Sequence, residues 1–173
     1  MSRLNARVLH FMRHLKDKYH INETDEVVAK EGAYHFDAIS ASNDRYNIVR
    51  HLIAGYNPDV VTENDPRWTS DTSYTINKGE AMRLCLRSKS DPTRLVPLDV
   101  LTFVMLHELS HIATYKHWGH IDQFWITFKF ILHEAVEAGI YRPVNYEFAP
   151  VTYCGLNIAY SPLYDNSLPN LWD

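Results

Sequence analysis

Leu4, Val8, Leu9, Met12 and Leu15 recur at intervals of three and four residues, so residues 3 to 20 are expected to form an amphipathic helix. A weaker pattern of the same period over Arg45 to Ala54 predicts a second helix, with Asn43 or Asp44 as its cap and Gly55 near its end. Residues 57 to 71 are rich in Pro, Asn, Asp and Ser and are expected to form a loop. Ser73 to Ile76 and Met82 to Arg87 then predict two short strands joined through Asn77-Lys78-Gly79-Glu80 as a hairpin. Pro97 and Asp99 mark a helix start, and Leu98 to Ala113 is apolar on most faces, which predicts a buried helix. A further helix is expected from His120 or Ile121 to Ala138, stopped by Gly139 with Pro143 beyond. The segment from Tyr146 to Asp173 holds Pro150, Pro162 and Pro169 and leaves room only for short strands and turns. The expected architecture is α+β: a small sheet with its hairpin packed on the Leu98–Ala113 helix and its successor. Residues 1–173 are expected to form one domain with its core at about 73–140.

Composition changes this picture little. An apolar fraction of 46% with 22% charged residues suits a globular protein of one domain's length. The net charge of -4 gives the chain as a whole no electrostatic case for nucleic acid. Arg83, Arg87, Lys89 and Arg94 are expected to form a solvated strand edge, able at most to support weak DNA contact. The longest apolar run, Val100 to Leu106, falls far short of the roughly 18 residues needed to span a membrane, and Met1 to Met12 lacks a signal-peptide core. The chain is therefore expected to be soluble and intracellular (cytoplasmic or nuclear), with reduced thiols the default; Cys85 and Cys154 lie far apart, one disulfide is conceivable, and no CxxC pair could hold a structural zinc.

The chemistry lies in His107-Glu108-Leu109-Ser110-His111. Residues four apart on a helix share a face, so His107 and His111 can present two imidazole nitrogens to one Zn2+ ion. Glu108 then stands where a general base can take a proton from a water whose pKa the metal has lowered towards about 7. Two satisfied histidines on a buried helix are the plain alternative, but burying His, Glu and His together is costly without a metal or full pairing. Ser110 has no evident base and is not read as a nucleophile.

A catalytic zinc needs a third protein ligand and an open position. His117 follows His111 after five residues, the ligand interval of metzincins, but Thr114 stands where those enzymes turn the chain at glycine. His120 directly follows Gly119, the only glycine between the two helices, where the chain must double back, and Phe124 and Trp125 can pack beneath it. His120 is the preferred third ligand. Glu134 or Glu137 would be the choice in a gluzincin arrangement, although both are expected on a solvated helix face. Tyr153 could donate a hydrogen bond to an oxyanion, but an ordinary packed tyrosine is the default.

Asn77-Lys78-Gly79-Glu80 with Met82 to Arg87 resembles the hairpin before the active-site helix of WLM metallopeptidases, relatives of the yeast protease that degrades DNA–protein crosslinks. Gly119-His120-Ile121-Asp122-Gln123-Phe124-Trp125 resembles the glycine–histidine–x–x–x–aromatic element of WLM and SprT-like proteases. The resemblance covers about residues 73 to 140. It implies His107, His111 and His120 as zinc ligands, Glu108 as the base, and a sheet edge that could take an extended peptide. The His111–His120 interval is longer than is usual in WLM proteins, and the basic surfaces and zinc ribbon of crosslink-repair relatives are not evident. Pro150 to Gly155 resembles the C-terminal part of similar proteins of large DNA viruses. The expected activity is zinc-dependent hydrolysis of peptide bonds in protein substrates, a class that could include proteins linked to DNA. The alternatives are a silent zinc-binding or interaction module and a zinc hydrolase of another bond.

Overall fold

A computed structural model of the chain describes residues 1–22, 41–65, 72–114 and 119–172. Helix α1 spans Ser2–Tyr19, α2 Ala41–Gly55, α3 Leu98–Ala113 and α4 Asp122–Glu137. Strands β1 (Val61–Glu63), β2 (Tyr74–Ile76) and β3 (Ala81–Leu84) form one sheet in the order β1-β3-β2. Strands β4 (Val151–Tyr153) and β5 (Leu156–Ile158) form a separate antiparallel hairpin. The fold is α+β, as the periodicities predict.

Several elements depart from expectation. In α1 it is Phe11 that joins Leu4, Val8, Met12 and Leu15 in the core, whereas Leu9 is exposed. Helix α2 begins at Ala41, so Asn43 and Asp44 lie inside its first turn instead of capping it. The expected loop at 57–71 contains a 3-10 turn at Pro58–Val60 and then β1, which pairs parallel to β3 with Val61 opposite Met82. Three residues carry too little alternation to announce a strand, and β3 supplies the pairing from outside the segment.

The hairpin turns as predicted, with Ile76 opposite Ala81 and with Asn77, Lys78 and Gly79 all at positive φ. Gly79 and Gly55 are needed for a second reason. A Cβ on Gly79 would run into the carbonyl of Gly55, and one on Gly55 would overlap the Ile112 side chain. The end of α2 and the β2–β3 turn therefore meet backbone to backbone, with the Ile112 side chain of α3 packed against both glycines. Lys78 fastens the same junction, its Nζ donating to the carbonyls of His111 (2.9 Å) and Thr114 (2.7 Å). Those are carbonyls left over at the C-terminal end of α3, where a cation is also favoured by the helix dipole.

Cys85, just beyond β3, is disulfide-bonded to Cys154 in the β4–β5 turn, with a Cα–Cα distance of 6.4 Å. This corrects the expectation of reduced thiols. Separation of 69 residues along the chain concealed how closely the hairpin lies against the sheet. No helix among the described residues is long and apolar enough to cross a membrane.

Candidate metal centre

Helix α3 is buried along most of its length, packing Val104, Met105, Leu109 and Ile112 into the core. One stripe of it, carrying His107, Glu108 and His111, faces a cleft. Gly119 takes φ +79°, the left-handed turn that glycine adopts without strain, and the chain comes back towards α3 at His120. The ligand atoms of His107, His111 and His120 all lie within 4.8 Å of one another. His107 Nε2 and His120 Nε2 are 3.0 Å apart. His117 lies outside the described residues.

An aromatic shell sets the rings. His111 stacks on Phe124 at 4.4 Å between centroids, His120 stacks on Trp125 at 5.5 Å, and His107 meets the edges of Phe124 and Phe128. Burial in this apolar surround disfavours a charged ring. It pushes His107 down to about 3, helped by the neighbouring His111 and His120, and His111 down to about 4, helped by His120 and Lys78. His120 is lowered by burial as well. All three are thus held as neutral imidazoles, the form that ligates metal. Two nitrogens bonded to one tetrahedral zinc lie about 3.4 Å apart, close to the His107–His120 spacing. The donor set fits a divalent metal ion.

Glu108 is 4% exposed and accepts a hydrogen bond from Thr75 Oγ1 at 2.7 Å. Burial pushes its carboxyl up to about 7, and the Thr75 hydroxyl pulls the other way. Two cavities flank the group. One of about 360 Å³ is walled by Phe103, Val104, Trp125, Phe128, Leu156, Ile158 and Tyr160, with His107, Glu108, His120 and Tyr153 at its polar end. The other, about 280 Å³, runs along Ser73, Tyr74, Thr75 and Lys78 past all three histidines.

Glu134 and Glu137 are not in this cleft. Glu134 is fully buried and takes Lys18 Nζ on both oxygens at 2.8 Å and the Tyr19 hydroxyl at 2.9 Å, while Glu137 pairs with the same Lys18. The gluzincin arrangement is thereby corrected, as is the solvated face expected for Glu134. The Ser110 hydroxyl is donated to the Leu106 carbonyl at 2.7 Å, which leaves no nucleophile there. Ser73, Thr75 and Lys78 escaped the sequence reading. The signal for the first two was their spacing, because residues two apart on a strand share a face.

The family model of the WLM domain matches residues 55–150, more than half of the chain. The chain belongs to the WLM family. WLM is a metalloprotease family, and the matched span contains the hairpin, α3, the Gly119 turn and α4. Uncharacterized protein R325 of Acanthamoeba polyphaga mimivirus is 36% identical over 87 residues, 50% of this chain and 43% of that protein. Uncharacterized protein 042R of Invertebrate iridescent virus 3 is 39% identical over 74 residues, 41% of this chain and 43% of that protein. The matched region thus spans less than half the length of either viral relative. The crystal structure of Wss1 from Saccharomyces cerevisiae aligns with 60% of this chain and 86% of that one, at a TM-score of 0.41 and 18% identity.

Proposed function

We propose that this chain is a zinc-dependent peptidase of protein substrates. The observation that carries the reading is the convergence of His107, His111 and His120 within 4.8 Å beside the buried carboxyl of Glu108. His107, His111 and His120 are the ligands; an ion held there would act as a Lewis acid on the scissile carbonyl and on water. Glu108 has no place in that ligand set and is free for proton work. A cation among the histidines would favour its carboxylate form, which can take a proton from the attacking water and return it to the leaving amine. Thr75 holds one carboxylate oxygen and leaves the other for water. Aromatic side chains line the cleft beside His107 and His120, and the apolar cavity suits an apolar substrate side chain. Proteins attached to DNA fall within the substrate class proposed, with any DNA contact weak at a net charge of -4.

The test is metal analysis of the purified chain together with cleavage of an unfolded protein, with and without single-stranded DNA. About one zinc per chain is expected, and Glu108→Gln should keep that zinc while losing nearly all hydrolysis. A folded chain that takes up no zinc, or a Glu108→Gln variant that cleaves at the wild-type rate, would refute the proposal.

A further inference from the structure

The β4–β5 hairpin brings one tyrosine to the polar end of the cleft. Tyr153 is 3% exposed, and it lines the same cavity as His107, Glu108 and His120. Its hydroxyl pairs with Ser73 Oγ at 2.5 Å, and the backbone N–H of Cys85 also lies against it. Ser73 Oγ in turn accepts the backbone N–H of Cys85 at 3.0 Å. The amide fills one lone pair of the serine and leaves its rotatable hydrogen free to point at the tyrosine. In that arrangement the hydrogen bonds run one way, from Cys85 N–H to Ser73 to Tyr153, and the phenolic hydrogen is left facing the cavity. The disulfide closes the loop covalently, since Cys154 follows Tyr153 and is bonded to Cys85.

Strand β2 and the residue before it relate this phenol to the base. Ser73 and Thr75 stand two residues apart, Thr75 against Glu108 and Ser73 against Tyr153. The proton acceptor and the phenol are therefore held by neighbouring same-face positions of one strand.

We infer that Tyr153 is a catalytic residue that donates a hydrogen bond to the substrate's carbonyl oxygen as that oxygen gains negative charge, with Ser73 as its positioning residue. The inference rests on the peptidase reading above. In the reaction water adds to the carbonyl carbon, the carbonyl π pair moves onto oxygen and accepts the Tyr153 hydrogen bond. That pair then returns as the C–N bond breaks, and the proton taken from water by Glu108 leaves on the amine. Tyr153 keeps its own proton throughout. Burial pushes its phenol up to about 12, so the O–H is intact across the neutral range.

Tyr153→Phe removes the hydroxyl and keeps the packed ring. Expected are unchanged zinc content, KM within about twofold, and kcat lower by on the order of a hundredfold, the scale seen when one oxyanion donor is lost. Calorimetric binding to the zinc-loaded protein gives a readout independent of turnover. A phosphinic peptide, whose tetrahedral oxygen mimics the charged state, should bind Tyr153→Phe weaker by a similar factor. The cleavage-product peptide should bind both proteins alike. Ser73→Ala should reproduce part of the kcat loss at constant KM, and it tests the proposal should the phenylalanine variant fold poorly. Wild-type kcat and wild-type phosphinate affinity in Tyr153→Phe, or in Ser73→Ala where that variant has to serve, would overturn the inference and leave the peptidase reading standing. An inactive wild-type chain would remove both.

Discussion

Ionising Glu108 inside the cleft should destabilise the metal-free protein above neutral pH, and Glu108→Gln should abolish that loss. A carboxyl at about 7 when folded and 4.5 when exposed carries about 3 kcal/mol of difference between its protonation states. Because the folded value lies above the unfolded one, this contribution is complete below pH 4.5 and fades as the pH rises through 7. The histidines act in the opposite sense. His107 and His111 have folded values below 6.5, so their contribution is present above 6.5 and is lost on acidification towards 4 and 3. They are common to both proteins and cancel in the comparison. Glutamine keeps the acceptor for Thr75 Oγ1 and carries no charge. Urea unfolding with chelator present, at pH 5 and pH 8.5, should then show wild type losing roughly 2–3 kcal/mol relative to the variant across that range. Added zinc should shrink the difference, since a cation among the three histidines favours the ionised carboxylate. Parallel stability curves for the two metal-free proteins would refute the account of Glu108 as a desolvated carboxyl.

Three further outcomes follow from particular contacts. His120→Ala should weaken zinc binding by roughly a hundredfold or more while leaving the fold intact, as judged by competition with a chelating dye and by circular dichroism. Gly55→Ala should lower stability by about 2 kcal/mol or more, because its Cβ collides with Ile112 at the α2–α3 contact; an unchanged Tm would contradict that contact. Lys18→Met leaves the fully buried Glu134 without its cation, so stability should fall by about 3 kcal/mol at neutral pH. Urea unfolding at neutral pH measures the loss, and an unchanged midpoint would contradict the pairing.

The helices were legible because their information is local. The period over Leu98 to Ala113 places α3 to the residue, and the glycine beyond α4 takes the positive φ expected of a stop. Legibility fails where a partner far along the chain decides the outcome. Leu9 fits the apolar period of α1 as well as Phe11 does, and only the packing of the other helices selects between them. Glu134 looks like any acidic residue on a helix until Lys18, 116 residues earlier, is found against it. Strand β1 is unread and the disulfide no more than conceivable for the same reason, each depending on where β3 lies.

The cleft divides along the same line. His107, Glu108 and His111 are set by one helix turn, so their sequence spacing already encodes their geometry. His120 is semi-local, since Gly119 announces a reversal and two aromatic residues follow to hold the ring. Thr75, Ser73 and Tyr153 reach the same cleft from a strand wall and a distant hairpin, and their hydroxyls are ordinary residues until those elements are assembled. Peptide hydrolysis makes uneven demands that match this division. Ligands and base must be held rigidly on one scaffold, and a buried helix provides it. The donor we infer for the substrate oxygen comes instead from a second element, the β4–β5 hairpin, which the Cys85–Cys154 disulfide fastens to the end of β3.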